Sequence, residues 1–182
     1  MAKFMQSGFA TRVHQLDRRI DEWVDRVRGP VLDPVFYGLS SAADHGLLWL
    51  AIGAVKAANE GDPVVGLKLG AAMGIESALT NGPVKMLFRR VRPAEDTPPE
   101  ERLPYGMHRP RTSSFPSGHA TSAFTAAMLL ADSPLAPAYF ALAATVAFSR
   151  VYTKMHHTSD IAVGALLGLG MGAAARRLLP LT

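Results

Sequence analysis

Charge is segregated along this chain, and that segregation constrains the fold more than any average does. Five apolar segments stand at about 35–57, 64–88, 118–132, 135–152 and 158–179, each rich in Ala, Gly and Leu and nearly free of charge. A helix needs about 20 residues to cross the hydrocarbon core of a bilayer, with about 17 the practical minimum. The third and fourth segments are marginal alone, and the tight Asp132-Ser133-Pro134 turn between them predicts a helical hairpin. Averages of 48% hydrophobic and 19% charged residues would also suit a soluble protein, so the distribution decides. The expected fold is all-α, a polytopic membrane helical bundle of about five transmembrane helices in one domain over 1–182.

Residues 1–30 differ in kind. Within them, 11–28 read as an amphipathic helix with Val13, Leu16, Ile20, Trp23, Val24 and Val27 on one face. Arg12, Arg18, Arg19, Asp21, Asp25 and Arg26 occupy the remainder. The helix is too charged to span a bilayer. It either lies in the interface, with Trp23 near headgroup depth, or packs on the rest of the protein. No uninterrupted apolar core occurs here, so no secretory signal peptide is expected. In the last apolar segment Gly164 and Gly168 form a small-xxx-small pair. That spacing serves packing within one subunit, and it also allows a homo-oligomer.

Cysteine is absent, which excludes disulfides, thiolate metal sites and cysteine nucleophiles. The formal charge of +4 fits a nucleic-acid binder, a membrane protein with basic loops or a phosphate site. The basic residues sit beside the apolar segments instead of on a soluble face, so no nucleic-acid partner is expected.

Residues 89–116 form a charged, proline-rich stretch nearly free of aliphatic side chains. A loop of this length in a compact domain is usually functional, and it is expected to be an active-site loop. Three clusters flank it: Lys85 with Arg92-Pro93, then Pro116-Ser117-Gly118-His119, then Ser149-Arg150 with His156 and Asp160. If the spans alternate in direction, all three meet at one membrane face. Lys85, Arg92 and Arg150 then surround a pocket that wants an oxyanion, and arginine's fork matches two phosphate oxygens. Ser117 and Gly118 stand at a helix start, where unpaired N–H groups bind anions. His156 and Asp160, four apart, share a helix face, so the carboxylate can fix the tautomer and leave the other nitrogen free to attack. His119 suits the acid that protonates the leaving alkoxide and then the base that activates water. The reaction class is phosphoryl transfer through a phosphohistidine, with no metal and no other cofactor.

These eleven residues, with their order and spacing, resemble the three-part signature of the type 2 phosphatidic acid phosphatase superfamily, which includes vanadium haloperoxidases. The resemblance covers about 85–160 closely. It implies His156 as nucleophile, Asp160 as its orienting partner and His119 as acid/base, with Lys85, Arg92, Ser117, Gly118 and Arg150 on the phosphate. It also implies an enzyme that works without a metal ion. Many relatives have six spans, whereas five are expected here. The competing readings are a haloperoxidase-like enzyme and a non-catalytic protein that binds or transports lipid phosphates. Size and spans oppose the first, and binding alone would not need His156 and Asp160.

Other polar residues stay open at this level. Glu76 in the second segment either acts in the site or pairs inside the bundle. Asp44 and His45 either line the substrate groove or pair internally. Arg89, Arg90, Arg109 and Arg111 either touch lipid phosphates or form a solvated basic loop, while His157 reads as loop scaffolding and Lys154 as a rim charge. The expected partners are the bilayer and a lipid or polyprenyl phosphate. Fifteen of the 19 Lys and Arg fall on the site face if five spans alternate. The positive-inside rule then places an integral protein of the cell membrane with its active site on the cytoplasmic side.

Overall fold

The computed structural model describes residues 2–93 and 112–179, with side chains from residue 8 onward. Among the described residues there are seven α-helices: α1 (Ala2–Val27), α2 (Leu32–Ala42), α3 (Leu47–Glu60), α4 (Pro63–Leu79), α5 (Gly118–Leu129), α6 (Ala136–Tyr152) and α7 (Thr158–Leu178). No strand occurs among the described residues. The expected all-α class stands, and the α5–α6 hairpin forms where the turn residues put it.

The first apolar segment is broken, contrary to the single helix expected over 35–57. α2 ends at Ala42, a short 3-10 turn runs over Asp44–Gly46, and α3 begins at Leu47. His45 (φ 54°) and Gly46 (φ 73°) both take left-handed backbone there. Glycine adopts that region freely, whereas histidine does so at a cost. The second segment also ends differently. α4 stops at Leu79, and a π-turn over Thr80–Val84 carries Pro83, which has no N–H to give the ladder. This turn brings Lys85 to the same end of the bundle as the start of α5.

α5 is the central helix. It packs against α4, α6 and α7, and Ala120, Ala123, Ala126 and Ala127 are fully buried along it. Small side chains let the helices approach closely. At Gly164 and Gly168 of α7, an added Cβ would lie 2.6 Å from the Ser117 carbonyl and 2.3 Å from the Thr121 carbonyl. The glycine pair therefore serves packing inside the chain. Threonine adds polar contacts at the same seam: Thr125 Oγ1 donates to the Gly168 carbonyl at 3.1 Å.

Many large apolar side chains point outward, although Trp49, Leu69, Leu129 and Leu130 are buried. Leu47 and Val55 of α3, Leu67 and Ile75 of α4 and Leu166 of α7 are all exposed, Leu67 by 71%. Alanine along the central helix with many leucines on the outside suits lipid, because tails solvate leucine as well as a core does. Among the described residues, α7 is the one helix long and apolar enough by itself to cross a membrane, with a mean hydropathy of 1.4. α5, with 12 residues, is about 18 Å long and shorter than a hydrocarbon core.

α1 packs on α6 and α7. Its inward face is the expected apolar face in part, with Val13, Ile20, Val24 and Val27 turned inward and Asp17 among them. Val24 and Asp17 are buried, whereas Leu16 and Trp23 are exposed, Trp23 leaning on Phe148 with ring centroids 6.2 Å apart. The α1–α2 corner is fastened to the end of α6. Tyr152 donates to Asp33 at 2.6 Å, and Arg28 donates to the Tyr37 hydroxyl at 2.6 Å.

Candidate active site

One cavity of about 910 Å³ opens where α4, α5 and the α6–α7 loop meet the break between α2 and α3. Lys85, Arg92, Gly118, His119, Arg150 and His156 all line it. The three clusters thus converge, as alternating helix directions require. Ser117 and Asp160, both fully buried, stand behind the cavity wall.

His156 sits in the loop between α6 and α7 and is 2% exposed. Its Nδ1 lies 2.7 Å from the Ser114 carbonyl, which can only accept, so Nδ1 carries the proton. Nε2 is left with its lone pair, 3.4 Å from Arg92 Nη1. Asp160 Oδ2 is 3.7 Å from Nδ1, beyond hydrogen-bond range. The tautomer is therefore held by a backbone carbonyl of the loop before α5, with the carboxylate as a nearby charge. Burial, and after it the Arg92 and Arg150 guanidiniums, push the His156 ring down to about 3, against the opposing pull of Asp160. The ring is neutral at physiological pH.

Asp160 spends its oxygens elsewhere. Oδ2 accepts from His157 N at 2.9 Å, and Oδ1 accepts from Arg90 Nη1 at 2.5 Å. As the third residue of α7 reaching back to the residue before the helix, it satisfies one of the orphan donors there. Arg90, expected either on lipid phosphates or in a solvated loop, is instead an inward ion-pair partner. His157 reaches the Val91 carbonyl at 3.2 Å and Asp21 at 3.5 Å, which is the scaffolding role expected. Lys154 is more than a rim charge, since it donates to the Asp21 carbonyl on α1 at 2.8 Å.

The cations are held from behind. Arg92 donates through Nη1 to the Met155 carbonyl at 2.7 Å and through Nη2 to the carbonyls of Thr112 and Ser113 at 3.1 and 3.2 Å. Arg150, at the end of α6, donates to Ser40 Oγ of α2. A Cβ on Gly118 would lie 3.0 Å from Asn81 Oδ1 and 3.7 Å from Lys85 Nζ, so the first cluster presses on the second. Ser117 Oγ caps α5 by accepting from Ala120 N at 3.4 Å. Its hydroxyl thus prepares the helix end, leaving the first N–H groups of α5 and the cations to meet an anion.

Sequence spacing left His119 without a carboxylate. The fold supplies one, because Asp44 Oδ1 lies 2.9 Å from His119 Nε2. The contact arises from the break at residues 43–46, which turns Asp44 into the cavity beside His45. Glu76 is buried and accepts from Ser122 Oγ at 2.5 Å, the internal pairing of its two readings. Asp17 of α1, absent from the expected site, is buried against Arg90 and Ser159. The signal that could have found it is a carboxylate sharing the helix face of Val13, Ile20 and Val24. Residues 94–111 of the expected active-site loop, with Arg109 and Arg111, lie outside the described residues.

A helical bundle gathers two histidines, three cations and a helix N-terminus at one end, a set of groups suited to an oxyanion. The chain belongs to the PAP2 superfamily, whose family model matches residues 65–181. It is 39% identical over 90 residues to a decaprenylphosphoryl-5-phosphoribose phosphatase of Mycobacterium tuberculosis. That match covers 50% of this chain and about half, 48%, of the relative's length. Its counterpart from Mycolicibacterium smegmatis is 34% identical over 127 residues, 69% of this chain and 67% of that one. The fold is also that of the transmembrane PAP2-type phosphatidylglycerolphosphate phosphatase of Bacillus subtilis. There the TM-score is 0.72 at 24% identity, over 92% of this chain and 86% of that one.

Proposed function

We propose that this protein is a membrane phosphatase that needs no metal and cleaves a phosphomonoester, or a pyrophosphate, of a lipid or polyprenyl-linked substrate through a phosphohistidine on His156. The observation that carries the reading is the meeting of Lys85, Arg92, Arg150, His119 and His156 around one cavity. The Nε2 lone pair attacks phosphorus while the bond to the leaving oxygen breaks. His119 gives that oxygen a proton, and Asp44 stabilises the protonated ring. His119 then takes a proton from water, whose oxygen attacks phosphorus as the P–N bond breaks. Inorganic phosphate leaves and His156 is restored. The three cations and the N–H groups opening α5 stabilise the charge on the transferring group, the task a metal ion would otherwise perform.

The leaving group we propose is a sugar carried on a polyprenyl phosphate, as in the names of the mycobacterial relatives. The cavity wall supports it. Ser41, Ser77, Asn81 and His45 offer hydrogen bonds next to the phosphate site, and Leu50, Gly70, Met73 and Gly74 line an apolar stretch beyond. A ligand polar near its phosphate and apolar further on matches that gradient. Five crossings, with α2 and α3 counted as one broken span, would put the site on the cytoplasmic face by the basic-residue count.

The test is phosphate release by the detergent-solubilised protein from a lipid phosphate in EDTA. Wild type turns over and is blocked by vanadate, and His156→Ala loses turnover while staying folded. Substantial activity in His156→Ala, or strict dependence on magnesium, overturns the mechanism.

A further inference from the structure

Asp17 is 1% exposed on a helix otherwise studded with solvated charge. Its Oδ1 accepts from Ser159 N at 2.8 Å, and its Oδ2 accepts from Ser159 Oγ and from Arg90 Nη2, both at 2.7 Å. Ser159 lies in the first turn of α7, so Asp17 caps that helix from another element, at the end where a negative charge is favourable. Arg90 in turn uses its other arm on Asp160 at 2.5 Å and on Ser159 Oγ at 2.7 Å. The result is a row of alternating charge, Asp17, Arg90, Asp160, ending beside the His156 ring.

We propose that Asp17 is a positioning residue for phosphoryl transfer: through Arg90 and Ser159 it fixes Asp160 and the start of α7, and thereby the loop that carries His156. The inference rests on the phosphohistidine reading above. The physical reason is the fork of Arg90. Its side chain is 27% exposed, whereas those of Asp17 and Asp160 are 2% and 0% exposed. With Asp17 present, the two carboxylates hold both arms of the fork inward. With Asp17 neutral or absent, one arm has water as its alternative, and Asp160 keeps a looser partner. Asp160 Oδ2 holds His157 N, so slack in Asp160 passes to the residue beside the nucleophile. The hydrogen bonds of these side chains run to Ser159 and His157, at the start of α7. α1 lies outside the segment 65–181 that the family model matches.

The experiment compares Asp17→Asn, Ser159→Ala and His156→Ala with wild type as full-length protein in detergent. The probes are dioctanoyl phosphatidic acid as substrate and vanadate as a ligand of the phosphate site. Asp17→Asn keeps the volume and one acceptor for Ser159 but loses the charge that holds Arg90. Its kcat should fall about 10–100-fold, with KM and vanadate inhibition within about threefold of wild type, because a shift of under 1 Å at a nucleophile is costly while anion binding is not. Ser159→Ala, which buries no new charge, should show a smaller fall of the same kind. Wild-type kcat in Asp17→Asn overturns the proposal. So does a fall in kcat matched by an equal loss of vanadate affinity, since that marks a collapsed pocket. If Asp17→Asn does not fold, an unchanged kcat in Ser159→Ala overturns it. Activity in His156→Ala would instead remove the underlying phosphohistidine reading, whatever Asp17 does.

Discussion

Replacing Gly168 by alanine drives a methyl group into the backbone of α5. The added Cβ would stand 2.3 Å from the Thr121 carbonyl oxygen and 3.0 Å from Thr125 N and Phe124 Cβ, where ordinary contact begins at 3.4 Å. Two of these neighbours are backbone atoms and cannot rotate away. Relief therefore requires α5 and α7 to part by about 1 Å, a typical response to an overpacked core, which costs about 1–3 kcal/mol. For a chain of this size that lowers the melting midpoint by roughly 3–10 °C. The same movement separates Gly118 and His119, at the start of α5, from Asp160 at the start of α7 and the preceding His156. A misplacement of about 1 Å is worth up to about 100-fold in rate. The assay pairs thermal unfolding in detergent with kcat on a lipid phosphate, using Gly170→Ala as the control. Gly170 lies on the same helix with nothing within 4 Å of its added Cβ, so that variant should match wild type or melt slightly higher. Wild-type melting and turnover in Gly168→Ala would refute the packing argument. Lower melting with unchanged kcat would refute the coupling of that seam to the site.

Asp44→Asn should lower kcat on an alkyl phosphate tenfold or more, because His119 loses the carboxylate that stabilises its protonated form, and a p-nitrophenyl leaving group, which needs no proton, should recover most of the loss. Between pH 6.5 and about 3 the unfolded state binds a proton at His156 that the folded ring refuses. Ligand-free stability should accordingly fall by about 1.4 kcal/mol per pH unit on acidification through that window, with no contribution above it, and His156→Asn should flatten the slope in denaturant titrations at pH 7 and 5. Single cysteines at Thr97 and Asn59 of this cysteine-free chain test the orientation: an impermeant maleimide on intact cells should label Asn59 and spare Thr97, and the reverse pattern would place the active site outside.

The candidate site was legible wherever its residues lie close along the chain. His156 and Asp160 are one helical turn apart, Pro116 to His119 are contiguous, and Lys85 and Arg92 bracket one turn. Local backbone geometry restricts such residues to a few arrangements. Alternating helices then bring the clusters to one end, whatever the details of packing. The all-helical class and the hairpin followed from composition in the same way, whereas the break in the first segment and the early end of the second did not.

What the sequence left undetermined joins elements far apart along the chain. Asp44 meets His119 only because α2 breaks from α3 at a left-handed turn that apolar composition does not announce. Arg90 meets Asp17 across 73 residues, and Ser159 meets Asp17 across 142. Charge alone could not say whether Arg90 faces lipid, water or a carboxylate. The hydrogen bond that His156 Nδ1 donates goes to the Ser114 carbonyl, a group every residue possesses and no side-chain pattern marks. Side-chain chemistry and short spacing are written residue by residue, so the sequence by itself determined which cations and imidazoles the cavity gathers. The partners that orient those imidazoles depend on how helices dock and where they break, which many contacts settle together, and so only the tertiary structure decided them.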